Sequence, residues 1–174
     1  MGATAGESLK AERVLVVVDG STASEAAVEQ ALGLLGSGSA RLILLHVTPP
    51  RLWRGKGGNL PLETREWDQA FASETLNRAA ALARARGVKP ERVMRVGPPV
   101  RVVLEEAARI GCDMIVLGAP ASWEGWPLRS LAELVRDTAP CPVKIVSGEG
   151  GEHGGAGPQR GDAVPPVHPP GPLD

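Results

Sequence analysis

Three runs of this chain fit best in the middle of a parallel sheet. Arg13 to Val18 (RVLVVV), Arg41 to Val47 (RLILLHV) and Met114 to Leu117 (MIVL) are aliphatic with almost no polar alternation. A strand covered by helices on both faces reads this way, because neither face meets water. Arg92 to Val96 (RVMRV) alternates and belongs nearer a sheet edge, and Cys141 to Ser147 (CPVKIVS) supplies a fifth strand. Between these runs the spacing predicts four helices: about Ala23 to Leu35, Glu63 to Arg86, Val100 to Ile110, and Ser130 to Thr138. The first carries Ala27, Ala31, Leu34 and Leu35 on one side. The second carries Trp67, Phe71, Thr75, Ala79 and Leu82 at helical spacing, with Glu74 and Arg78 as an i,i+4 pair. The third presents Val100, Val103, Leu104 and Ala107, and the fourth Leu131, Leu134 and Val135. Ser21 or Thr22 caps the first helix, Gly87 and Gly111 end the second and third, and Pro98 or Pro99 opens the third.

Five strands alternating with four helices imply a five-stranded parallel sheet with helices on both faces, an α/β fold. Right-handed crossovers leave two strand orders open, 2-1-3-4-5 and 3-2-1-4-5. Ligands of such sheets bind beyond the carboxyl ends of the strands, where the order reverses. Asp19-Gly20, Val47-Thr48, Gly97-Pro98 and Gly118-Ala119 stand at those ends. The stretch from Cys112 to Asp137 is the most suggestive. A buried strand stops at Gly118, an irregular loop runs from Ala119 to about Leu128, and Ser130 opens a helix with Glu133 three residues on, a capping-box pattern. Strand, glycine, loop and helix N-terminus present backbone N–H groups to an anion.

The domain boundaries follow from composition. Met1 to Glu12 is small and polar, and reads as a flexible N-terminus. The folded part spans 13–147. The last 27 residues hold 8 Gly and 6 Pro and read as a disordered tail over 148–174. Setting aside Arg160 and the four acids of that tail leaves 18 basic and 16 acidic residues, a net charge of +2. That balance gives no ground for nucleic-acid or membrane binding. There is no apolar run near the ~20 residues of a membrane span, and residues 1–12 lack the apolar core of a secretory signal, so a cytoplasmic location is expected. Cys112 and Cys141 have neither metal-ligand nor disulfide-framework spacing and read as two reduced, mostly buried thiols.

Catalytic chemistry leaves no mark. There is no Gly-x-Ser-x-Gly elbow, no His-Glu-x-x-His, and no Gly-x4-Gly-Lys-(Ser/Thr). A receiver-type metal site needs paired acids after the first strand, and Asp19 has no acidic neighbour. His46 at a strand end reads as a hydrogen-bonded structural residue. His153 and His168 are too sparse for a metal site. Asp19 fits two roles equally, a ligand contact or a strand-end carboxylate holding turn N–H groups.

Val14 to Ser21 (VLVVVDGS), Leu42 to Val47 (LILLHV), Val96-Gly97-Pro98-Pro99, Cys112 to Gly118 (CDMIVLG) and Ala139 to Val146 (APCPVKIV) stand in the order and spacing of the universal stress proteins. Each motif is weak by itself, and together they make the chain resemble that family over about Arg13 to Ser147. The resemblance implies a Rossmann-like sheet in the order 3-2-1-4-5, as in adenine nucleotide alpha hydrolases, and a homodimer paired through the fifth strand at Val143, Ile145 and Val146. In nucleotide-binding members, ATP or AMP lies with its adenine and ribose on an Asp after the first strand and a Val ending the second, here Asp19 and Val47. The phosphates lie on Gly-x2-Gly-x9-Gly-(Ser/Thr). The matching stretch here is Gly118-x2-Ala121-x7-Arg129-Ser130, two residues shorter, with Ala121 and Arg129 where the family has glycine. Glycines serve there because backbone approaches phosphate closely. The short loop, with Trp123 and Trp126 inside it, is similar to the family branch that does not bind ATP. The expectation is a dimeric regulatory or protective binding module with a protein partner, not an enzyme, and without tight ATP binding. The alternative is an adenine-nucleotide switch with at most slow hydrolysis, in which Arg129 supplies a bidentate donor in place of glycine backbone.

Overall fold

The computed structural model describes residues 10–49, 62–119 and 131–147, and the side chains of all of these except 62–67 and 119. The elements in chain order are β1 (Arg13–Val17), α1 (Thr22–Leu34), β2 (Arg41–Thr48), α2 (Leu62–Ala85), β3 (Glu91–Val96), α3 (Pro99–Ile110), β4 (Met114–Ala119), α4 (Leu131–Thr138) and β5 (Val143–Ser147). All five strands pair in parallel, in the order β3-β2-β1-β4-β5. Of the two orders left open by the crossover rule, the molecule adopts the one the family resemblance implies.

The aliphatic runs become the inner strands because each of their faces is roofed by helix. Val14, Val16, Val18, Leu42, Leu44 and Val116 pack under α1 and α2. Leu15, Val17, Ile43, Leu45, Ile115 and Leu117 pack under α3 and α4. Burying each such side chain contributes roughly 1.5–3 kcal/mol against leaving it in water. β3 occupies one edge, and its alternation has the predicted meaning: Glu91, Arg92, Arg95 and Val96 are exposed. β5 occupies the other edge, with Val143, Ile145 and Val146 half-buried.

The punctuation works as its chemistry requires. Ser21 caps α1, its Oγ accepting from the N–H of Ser24 at 3.1 Å. Gly111 sits after α3 in the left-handed region at φ 62°, where a side chain would be strained.

Two expectations for α2 differ. Phe71, read as part of the apolar stripe, is 55% exposed. The buried face is instead Ala72, Thr75, Leu76, Ala79, Ala80 and Ala83. Its alanines let the helix lie close to the sheet, which leaves a ring at position 71 outside the contact. The expected Glu74–Arg78 pair gives way to an interhelical one, with Arg78 donating to Glu25 of α1 at 2.8 Å. The side chain of Trp67 lies outside the described residues.

Candidate functional site

The strand order reverses between β1 and β4, so the cleft expected of this fold opens at their carboxyl ends. Val17 of β1 is level with Leu45 of β2 and Leu117 of β4. Continuing those registers puts Asp19 beside Val47, and Val18 beside Gly118. Three of the residues singled out from the sequence therefore share one edge of the sheet. Ala121, Arg129 and Ser130 lie outside the described residues, as do Trp123, Trp126, the loop at 50–61 and the segment 148–174. α4 begins at Leu131, directly after the serine expected to cap it.

Asp19 is held by its own turn. Its Oδ1 accepts from the N–H of Ser21 at 2.9 Å, a strand-end Asx arrangement. Oδ2 has no hydrogen-bond partner among the described residues. Gly20, next along, has φ +85° and faces Thr75 and Phe71 at 3.3 and 3.4 Å from where a Cβ would stand. The positive φ is what favours glycine here. The turn thus holds a half-buried carboxylate at the carboxyl edge of the sheet, with one oxygen engaged by the turn itself.

Gly118 has a packing duty that the sequence did not disclose. A Cβ there would overlap the backbone of Ala23 and Ser24, lying 2.6 Å from the Ser24 nitrogen. The first turn of α1 rests directly on the end of β4, and only hydrogen at Gly118 permits it. Part of that turn's donor capacity is already spent. The Ser24 N–H goes to Ser21 Oγ, and the Ser24 hydroxyl donates to Ser21 O at 2.9 Å.

His46 behaves as the structural residue expected. Its ring is buried, and Nδ1 donates to the carbonyl of Val18 at 2.8 Å, which fixes the tautomer with the proton on Nδ1. Phe71 meets the ring edge-on at 5.9 Å between centroids. A hollow lined by Val18, Gly20, Ser24, Glu25, Thr75, Arg78 and Ala79 encloses about 10 Å³, barely the space of one water. Among the described residues no cluster of three or more metal-binding side chains occurs. No helix among them is long and apolar enough to cross a membrane.

Sequence reasoning missed one juxtaposition. Cys112, buried before β4, and Cys141, half-buried before β5, are free thiols with sulfurs 3.3 Å apart. Their spacing in the chain carries no signal of this. Only the adjacency of β4 and β5 brings them together.

The geometry has relatives. A Staphylococcus aureus (strain USA300) protein named as a universal stress protein is 28% identical over 142 residues, covering 79% of this chain and 85% of that one. A universal stress protein solved in complex with cAMP is 26% identical, with a TM-score of 0.61, over 79% of this chain and 98% of that one. A family member from Arabidopsis thaliana solved with AMP bound has the same fold, with a TM-score of 0.59 at 21% identity over 78% of this chain and 91% of that one. The sequence model of the universal stress protein family matches residues 10–147, all five strands and all four helices. The chain belongs to the universal stress protein family.

Proposed function

We propose that this protein is a dimeric regulatory or protective module that acts by binding rather than by turnover, and that it does not hold ATP tightly. One observation carries the reading: the retained glycine of the phosphate motif, Gly118, is already required by the seating of α1 on β4. Its presence therefore says nothing for a phosphate. The other glycine positions of the motif are Ala121 and Arg129, and the loop is two residues short. A side chain at the last of these crowds the place where phosphate oxygens meet backbone N–H groups. Asp19 and Val47 keep only the adenosine side of the cleft, which by itself gives no grip on a triphosphate. The module presents the carboxyl edge of its sheet to a protein partner and pairs with a second copy through Val143, Ile145 and Val146. The test is the nucleotide content of the protein as purified, followed by calorimetry with ATP. No co-purifying nucleotide and no heat at millimolar ATP are expected. A stoichiometric adenine nucleotide overturns the reading.

A second reading, an adenine-nucleotide switch, is favoured by the relative solved with cAMP at 26% identity. It is also favoured by Oδ2 of Asp19, which has no hydrogen-bond partner among the described residues. In it Arg129 replaces glycine backbone as the phosphate ligand. Arg129→Ala then weakens ATP much more than adenosine, and equal losses for both remove that role.

A further inference from the structure

We propose that Cys112 and Cys141, whose sulfurs face each other across the amino ends of β4 and β5, form a dithiol that hydroperoxides close reversibly into an intramolecular disulfide. The sulfurs are 3.3 Å apart, and a disulfide bond needs them to approach by only ~1 Å more.

The fold holds both residues in place with bonds that do not involve sulfur. The N–H of Cys112 donates to Ala107 O at 3.1 Å, beside the left-handed turn at Gly111. Asp113, its neighbour, is tied to β1 twice over. Its N–H donates to Arg13 O at 2.9 Å, and its Oδ2 accepts from the N–H groups of Glu12 and Arg13. On the other side the carbonyl of Pro142, next to Cys141, accepts from Ile115 N–H at 3.0 Å, and Ile115 is in register with Val143. The backbone on both sides is therefore already ordered in the reduced protein, which lowers the ordering cost of forming the bond.

The two thiols differ in a way that divides the labour. Cys112 is 8% exposed, while Cys141 is half-buried and within reach of a small oxidant. Burial, then the hydrogen bond with Cys141, pushes the Cys112 thiol up to about 12, so it stays protonated at neutral pH. Cys141, the more exposed of the two sulfurs, is the one that meets peroxide. Its thiolate attacks one peroxide oxygen, and the O–O bond breaks. Cys141 becomes a sulfenic acid, and the other oxygen leaves as hydroxide and takes up a proton. Cys112 then attacks the Cys141 sulfur. The S–O bond breaks as the S–S bond forms, and the departing hydroxide leaves as water with the Cys112 proton. Two thiols and one hydrogen peroxide give one disulfide and two waters. The sulfurs lose two electrons, and the peroxide gains them.

The bond would close the 29-residue separation that contains α4 and residues 119–130. Oxidation would thus tie the amino ends of β4 and β5 together, at the opposite end of β4 from Gly118. The site stands whether or not that loop binds a nucleotide, because neither cysteine belongs to it.

The experiment uses the full chain, reduced and freed of reductant, exposed to hydrogen peroxide and then unfolded with an alkylating agent present. Expected are the loss of both alkylatable thiols together, an intact mass lower by two hydrogens, and a linked Cys112–Cys141 peptide in a non-reducing digest. Dithiothreitol should restore both thiols. Cys112→Ser, checked for folding by circular dichroism, should instead accumulate a sulfenic acid at Cys141 that dimedone traps. Cys141→Ser should leave Cys112 reduced. Three results would overturn the proposal: thiols that stay alkylatable in excess peroxide, a disulfide formed only between chains, or Cys141 over-oxidised while Cys112 remains free.

Discussion

Gly118 and Asp19 show how a residue can match a binding motif and still owe its identity to packing. Both stand where the family resemblance implies ligand contacts, yet each has local work. Asp19 holds the turn N–H of Ser21, and Gly118 makes room for the backbone of Ala23 and Ser24. The neighbour at Gly118 is helix backbone rather than a flexible side-chain tip, so a methyl group forces a shift of α1 or β4. Gly118→Ala is expected to cost about 1–3 kcal/mol of stability, read as a lower melting temperature with no nucleotide present. An unchanged melting curve with lost ligand affinity would return the glycine to the ligand. The motif itself was legible as letters. Its packing reason was not, because the atoms that demand a glycine belong to a different element. His46 was legible in kind, as a structural histidine, but its carbonyl partner Val18 was not.

Among the elements, α3 carries an internal tie that the apolar pattern did not single out. The reading of its buried face as Val100, Val103, Leu104 and Ala107 passed over Glu106, whose side chain is only 7% exposed. Burial alone would raise its carboxyl. Hydrogen bonds from Arg109 and Arg95 outweigh that and hold it below the usual carboxylate range. Arg95 donates at 2.6 Å from β3, and Arg109 at 2.6 Å from the next turn of α3, so the edge strand is fastened to its crossover helix. A carboxyl with a lowered folded-state value contributes stability that is present above its unfolded value and lost as pH falls through the folded one. Thermal stability should therefore decline on acidification below about 4.5, the ordinary value for this group. Glu106→Gln should flatten that decline. Because both guanidinium groups are about half exposed, the cost of the substitution at neutral pH is roughly 1 kcal/mol. An identical acid limb in the variant would show that the tie contributes nothing. The exposed surface pairs Arg78–Glu25, between α2 and α1, and Arg86–Glu29, from just beyond α2 to α1, are expected to add much less.

For the whole molecule, the two sheet edges are dressed differently. β3 exposes Glu91, Arg92 and Arg95, charges that discourage further strand pairing, while β5 offers Val143, Ile145 and Val146 with Lys144 as its one charge. Light scattering at micromolar concentration is expected to give about twice the 18.1 kDa chain mass. Val146→Asp should bring it to one chain with the circular dichroism spectrum unchanged. A wild-type monomer would remove the strand-pairing mode. At this scale the sequence by itself determined the local and periodic features: which runs are strands, which segments are helices, where serine, proline and glycine start and stop them, and that the sheet is parallel and roofed on both faces. Those properties follow from side-chain shape and spacing over a few residues, which any copy of the sequence carries. It also placed Asp19, Val47 and Gly118 at strand ends, and so on one edge of any such sheet. The strand order β3-β2-β1-β4-β5 came with the family resemblance, not with the runs themselves, and the structure bears it out. Only the tertiary structure decided the seating of α1 on Gly118, the exposure of Phe71 and the meeting of Cys112 with Cys141. Each of these depends on which elements become neighbours when both faces of the sheet are buried at once, and that is a property of the packed chain rather than of any stretch within it.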